Sequence, residues 1–358
     1  MQRNKIFFNG QRIFVGIDVH KRKWSVATIT ESGYQRVHVQ NASAQELIDF
    51  LHRHYPGGDY RAVYEAGFTG FSTYYSLDAA GIGCVVINAA DVPTTQYENV
   101  MKTDKVDCVK LAKALRAGQL KGIYIRPKDS LDDRGVIRAR RAICNDLTRY
   151  KNRIKHLLMN NGVAIPEQFD RRGGGNWSGA FIRWLKGDVG LLSETRRTLD
   201  MLIAQVERLR QAQLEATREL RMLSGAERYR DNYDLLCSIP GIGGIVAMTL
   251  LTEIHDISRF HNERQLASYL GLVPTSHSSG DKTVHGGMTF RGSRHLRPVV
   301  IEAAWVSIRH DAGLSAEYSK YRRKMNPQLA IARIARKLSN IVYSVLKNNR
   351  KYAPYGSF

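Results

Sequence analysis

Residues Arg12–Ile29 read RIFVGIDVHKRKWSVATI. From Ile13 to Val19 apolar side chains fall on both faces of an extended chain, the pattern of a strand buried in the middle of a sheet. His20–Lys23 is a polar turn, and Trp24–Ile29 returns as a second strand. One carboxylate, Asp18, interrupts the first strand. A buried carboxylate without a partner costs several kcal/mol, or its pKa shifts until it is neutral. The first question the sequence raises is therefore what Asp18 binds.

Working outward, Glu31-Ser-Gly33 turns the chain into a third strand, Tyr34–Gln40, with period-two alternation. Ser43-Ala-Gln-Glu46 is a capping box that opens a helix to about His54. A fourth strand at Arg61–Glu65, a helix at Ser72–Ala80 and a fifth strand at Cys84–Asn88 follow. The next helix, Asp104–Ala117, carries Val106, Val109, Leu111 and Leu115 on or near one face and is closed by Gly118. The order β-β-β-α-β-α-β-α, a meander followed by crossovers, is that of an α/β ribonuclease-H-like domain over residues 1–128.

Beyond it the chain reads as helical. Asp129–Asn160 sets a stripe of Ile137, Ile143, Leu147, Ile154 and Leu157 against basic residues that include Arg138, Arg141 and Arg149, a face suited either to solvent or to nucleic acid. Leu199, Val206, Gln213 and Leu220, with Leu202, Leu209, Ala216 and Leu223, repeat every seven residues. This is a coiled-coil seam that needs a second helix, and residues 129–230 are expected to form a dimerisation region, with an intramolecular hairpin as the alternative. Ser238-Ile-Pro-Gly-Ile-Gly-Gly244 resembles the turn of a helix-hairpin-helix element, which presents backbone N–H groups to phosphate. It opens a mostly α-helical C-terminal domain, residues 231–358. Within that domain Ser278-Ser279-Gly280, taken alone, reads as a turn.

The charge balance narrows the partner. Fifty-four Lys and Arg stand against 33 Asp and Glu, a net charge of +21 in 358 residues. The excess is about +12 over the last hundred residues and about +5 over the first ~127. Such a surplus points to a polyanion. Cys84, Cys108, Cys144 and Cys237 are scattered, with no C-x-x-C pair, which argues against a zinc ribbon or disulfide framework and for a reducing cytoplasm. The N-terminus lacks the apolar core of a signal peptide, and no run approaches a membrane span.

Asp18 has candidate partners in this order of elements. Strand four ends at Glu65, beside the middle of strand one, and the last helix of the domain opens with Asp104 and Asp107, three apart on one face. Four converging carboxylates repel unless a divalent cation lies between them. Hard oxygen ligands without Cys or His suit Mg²⁺ or Mn²⁺. Lys21, Arg22, Lys23, Lys102 and Lys105 flank these acids and are placed to hold a backbone phosphate. Each acid also has a plain structural use, Asp104 as a helix cap and Asp107 as a first-turn residue.

At these residues the chain resembles a known family. GIDVHKRKWSVA, YEAGFTG and KTDKVDCVKLAKAL are similar to the D-E-D-D domain of the bridge-RNA-guided insertion-sequence transposases, which include pilin-gene invertases. SIPGIGGIVAMTLLTEI, RQLASYLGLVPTSHSSGDK and RGSRHLRPVVIEAAW are similar to the C-terminal transposase domain of that family. The resemblance implies an RNA-guided recombinase in which Asp18, Glu65, Asp104 and Asp107 bind Mg²⁺. It also implies that a serine, Ser279 by position with Ser278 one residue away, becomes covalently joined to DNA. Lys282, Arg291 and Arg294 are then candidates to stabilise the phosphorane. It further implies an element-encoded guide RNA, donor and target DNA, a dimer of dimers, and a nucleoid-associated cytoplasmic protein. Rival readings are a junction-resolving nuclease that activates water, an actin-like phosphotransferase and a non-catalytic RNA-binding protein. The second lacks a further phosphate loop, and the third leaves Asp18 without a purpose.

Overall fold

The apolar run Arg12–Val19 is strand β1, the central strand of a mixed five-stranded sheet. The computed structural model describes residues 7–93, 103–169, 177–187, 189–279, 282–288 and 292–354, and only the backbone of 275–279 and 282–286. On one side of β1 lies β2 (Lys23–Thr30), antiparallel, and then β3 (Gln35–Asn41). On the other side lie β4 (Asp59–Glu65) and β5 (Gly83–Ile87), both parallel, so that the order is β3-β2-β1-β4-β5.

Both faces of this sheet are covered, which is why β1 carries no polar face in the sequence. Ile13, Val15 and Ile17 pack with Leu47 and Leu51 of α1 (Ala44–His54) and Leu77 of α2 (Ser72–Ala79). On the opposite face Phe14, Ala27 and Ile29 pack on Cys108 and Ala112 of α3 (Asp104–Arg116), while Val63 and Ile87 pack on Leu111 of the same helix. Ser43 caps α1 by accepting from the Glu46 N–H at 3.2 Å. The Glu46 carboxylate turns back to the Asn41 side-chain amide at 3.1 Å, so the box is completed one strand end earlier than its pattern suggests.

Gly16 decides how closely α3 lies on the sheet. A Cβ at this position would stand 2.1 Å from the Cys108 carbonyl oxygen and 2.5 Å from the Ala112 nitrogen. Both are backbone atoms of a helix and cannot move aside alone. The strand and helix backbones are therefore in direct contact two residues from Asp18.

The chain divides after Ile125 into two compact units. In the second, α4 (Lys128–Asn160) and α6 (Ser193–Ser224) pack along each other, with α5 (Gly179–Gly187) beside them. Leu147, Ile154 and Leu158 meet Leu199, Ile203 and Val206, joined by Trp177 and Phe181. Gln213 donates to Cys144 Sγ at 3.1 Å across this pair. The heptad stripe expected to pair between subunits is thus taken up by α4 of the same chain. The buried residues of α6 are Leu199, Ile203, Val206 and Leu220, of which Leu199, Val206 and Leu220 are positions of the heptad.

Residues 129–230 form no separate unit either. Ile137 of α4 and Leu220 of α6 belong to one core with Leu250 and Ile254 of α8 (Gly244–Ile254), Val300 of α10 (Leu296–His310) and Leu338 of α12 (Pro327–Lys347). Helix α7 (Glu227–Cys237) joins α8 through a short turn, in which Ile239 and Ile242 are buried and Gly241, at φ +90°, lies against Ser307 of α10. Helix α9 (Glu263–Tyr269) leads into a two-stranded sheet of β6 (Pro274–Ser279) and β7 (Lys282–Met288). Helix α11 (Ala312–Arg322) completes the unit. Among the described residues no helix is long and apolar enough to cross a membrane.

Gly16→Ala is expected to destabilise the protein by about 1–3 kcal/mol or more, because the added methyl meets backbone rather than a flexible side chain. A urea unfolding midpoint equal to that of the wild type would contradict this account of the strand–helix contact.

Candidate functional site

Asp18 is the penultimate residue of β1 and lies on the face that carries α3, because side chains alternate and Ile17 points the other way. Its side chain is 22% exposed and the Asp104 side chain 64%. Asp104 is the first residue of α3, but Thr103 makes the cap, accepting from the Val106 N–H at 3.3 Å. The capping use expected for Asp104 is therefore filled by its neighbour, and the Asp104 carboxylate is directed elsewhere.

It is directed toward Asp18 through a third residue. His20 Nε2 lies 3.2 Å from Asp18 Oδ2 and 3.6 Å from Asp104 Oδ1. Among the described residues, Asp18, His20 and Asp104 bring one donor atom each within 4.8 Å of one another. Two carboxylates and an imidazole are a donor set suited to a divalent cation. The sequence reading placed His20 in a polar turn and gave it no part here. The available signal was its nearness to Asp18, two residues away and one residue past the end of β1.

Burial raises the Asp18 carboxyl above its ordinary pKa. The charges of Asp104 and Asp107 push the same way, and His20 opposes them. Asp107 lies in the same first turn of α3, and Lys110 Nζ is 3.5 Å from its Oδ1. Glu65 ends β4 on the α3 side of the sheet, since Val63, two residues earlier, packs on α3. The gathered donors do not include Glu65 or Asp107, so of the four expected acids the structure brings Asp18 and Asp104 into the closest group.

The flanking cations divide. Lys21, Lys23 and Lys105 are exposed at this end of the sheet, and Arg294 is exposed in the second unit. Lys102 and Arg291 lie outside the described residues, as does the side chain of Lys282. Arg141 is half-buried and donates through Nη1 to the His295 carbonyl, which fastens α4 to the start of α10. Ser278 and Ser279 belong to β6 and are paired with Thr283 and Lys282 of β7. The turn expected at Ser278-Ser279 is thus strand, because the ladder continues to its last two residues. Near the base of this hairpin Gly271 and Gly292 touch: a Cβ on Gly292 would lie 2.1 Å from the Gly271 Cα.

The sequence was compared with known proteins. Residues 15–161 match a family model described as a transposase with the D-E-D-D domain of IS110. Residues 233–320 match a model described as the transposase IS116/IS110/IS902 family. A putative transposase of Sinorhizobium fredii, y4rJ, is 30% identical over 331 residues, 83% of this chain and 81% of the relative. A second from that organism, y4qE, is 28% identical over 82% of this chain and 71% of the relative. The transposase for insertion sequence element IS1111A of Coxiella burnetii is 25% identical over 76% of this chain and 79% of the relative.

The raised pKa of Asp18 has a definite sign for stability. Ionising a carboxyl that the fold holds above its ordinary pKa costs the folded state, and the cost appears as pH rises through the folded value. Asp18→Asn is expected to raise the thermal midpoint of the metal-free protein at pH 7. The gain should vanish as pH falls into the ordinary carboxylate range. Melting curves taken across pH would refute this if the variant were less stable at neutral pH.

Proposed function

This chain belongs to the IS116/IS110/IS902 family of transposases, and from that membership we propose that it is an RNA-guided DNA recombinase that excises and inserts a mobile element. The observation that carries the reading is the approach of Asp104 to Asp18, a carboxylate in a buried strand, within a chain of net charge +21. A protein built for polyanions keeps an acidic cluster where a cation can work on a phosphate.

In this reading the N-terminal unit is a ribonuclease-H-like domain. Asp18, Glu65, Asp104 and Asp107 hold Mg²⁺, with Mn²⁺ as a substitute. When bound, the metal supplies Lewis acidity at the scissile phosphate. The remaining work falls to side chains of the protein. Lys21, Lys23 and Lys105, exposed beside the acids, hold the DNA backbone and fix the phosphate in place. Ser279, at the end of β6, is the nucleophile. Its Oγ–P bond forms as the bond from phosphorus to a deoxyribose oxygen breaks, and the departing oxygen takes up a proton in exchange for the one the serine gives up. The serine ester conserves the energy of the cut bond, so rejoining needs no ATP.

Sequence choice belongs to an element-encoded guide RNA that pairs with donor and target DNA, while the protein reads shape and backbone. The basic C-terminal half supplies the electrostatic attraction for both nucleic acids. The assembly is a dimer of dimers in the bacterial cytoplasm.

The test is a denaturing gel of full-length protein with element-end DNA, the flanking non-coding RNA and Mg²⁺. A protein–DNA adduct is expected with the wild type and with Ser278→Ala. It should fall by at least about a thousandfold in Ser279→Ala and in Asp18→Asn. Loss in Ser278→Ala alone moves the nucleophile by one residue. Cleaved ends without an adduct in any lane would leave a nuclease that activates water.

A further inference from the structure

We propose that His20 is itself a ligand of the metal site, through Nε2, and that it biases the site toward Mn²⁺ over Mg²⁺. The proposal rests on the metal-site reading above and adds to it a donor that the four acids do not include.

The backbone places His20 for this use. Asp18 lies on the α3 face of β1, and His20 stands one residue beyond the end of that strand, with its Nε2 3.2 Å from the Asp18 carboxylate. The close seating of α3 on Gly16 then brings the first residue of the helix, Asp104, to the same point. A strand end and a helix start, whose acids Asp18 and Asp104 are 86 positions apart in numbering, both bring a carboxylate to one imidazole.

The distances fit ligands of one ion. When donors sit about 2.1 Å from a cation, neighbouring donors of an octahedron are about 3.0 Å apart and opposite ones about 4.2 Å. The His20 nitrogen is 3.2 Å from the Asp18 oxygen and 3.6 Å from the Asp104 oxygen, both inside that span. The Nε2–Asp18 contact is also a hydrogen bond, whose shared proton a metal ion would displace. Exposed His–carboxylate contacts contribute little, and the His20 side chain is 53% exposed.

The donor chemistry supplies the direction of the bias. Mg²⁺ demands oxygen ligands and retains its waters. An imidazole nitrogen adds more for a first-row transition ion than for Mg²⁺, and Mn²⁺ is the first-row ion grouped with Mg²⁺ in its preference for carboxylate oxygens.

The experiment uses full-length protein loaded with Mn²⁺ and read by electron spin echo envelope modulation, with Mn²⁺ and Mg²⁺ affinities measured alongside by titration. Wild type is expected to show nitrogen modulation from a directly bound imidazole. His20→Gln should lose that modulation and bind Mn²⁺ roughly 10–100-fold more weakly, the range found when groups supporting a metal site are removed. His20→Asp should also lose the modulation but keep Mg²⁺ binding, moving the preference toward Mg²⁺. Mn²⁺ bound in an Asp18-dependent way without nitrogen modulation would overturn the assignment of His20 and leave the acidic site standing. Mn²⁺ binding that is indifferent to Asp18→Asn would overturn the metal-site reading, and the His20 proposal with it.

Discussion

The contact on which the N-terminal unit depends is backbone against backbone. Gly16 lets the Cys108–Ala112 turn of α3 rest on β1 with no side chain between. Around that point Phe14, Ala27 and Ile29 fill one flank and Val63, Ile87 and Leu111 the other, so the helix is held in a single seat. Close-packed interiors transmit small displacements rather than absorb them. The seat of α3 therefore sets where its first turn ends, and that turn carries Asp104 and Asp107.

The electrostatics at the end of β1 follow from this seating. Asp18 is removed from water far enough to be costly to ionise, and two further acids are brought near it. Natural folds avoid such an arrangement unless it is used. Here it is accompanied by features that save the acids for one another. Thr103 takes over the helix cap, and the His20 ring stands between the two nearest carboxylates. Lys110 partly balances Asp107 one turn later.

The second unit treats its basic residues differently from what a count of charges suggests. Arg138 pairs in two-pronged fashion with Glu253, which is 2% exposed, at 2.7 and 2.9 Å. Arg228 does the same for Asp133 at 2.8 Å, with the Tyr229 hydroxyl donating to that carboxylate as well. Arg126 donates to the Thr252 and Glu253 carbonyls, and Arg141 to that of His295. These guanidinium groups tie α4 and the chain before it to α7, α8 and α10, where breaking one partner of a buried pair would be expensive. Each Arg–carboxylate pair cancels within the net charge, so the surplus of +21 left for a polyanion is carried by the other basic residues.

The elements of the sheet were legible in the sequence because their signals are local. Two-faced apolarity at Ile13–Val19, the Ser43 cap and the Asp104–Ala117 periodicity each depend on residues close along the chain, and each is where it was expected to within a residue or two. The family was legible for the same reason, its motifs being short and contiguous. What the heptad of α6 pairs with was not legible, since an apolar stripe reports that a partner exists and not which chain it comes from; only the fold shows α4 covering it. Nor was the end of β6, where Ser and Gly favour a turn in isolation and the ladder with β7 overrides them. The part of His20 depended on tertiary structure most of all. Its residue type and its place beside Asp18 are in the sequence, but the meeting with Asp104 is made only when α3 settles on Gly16, a distance that no local pattern encodes.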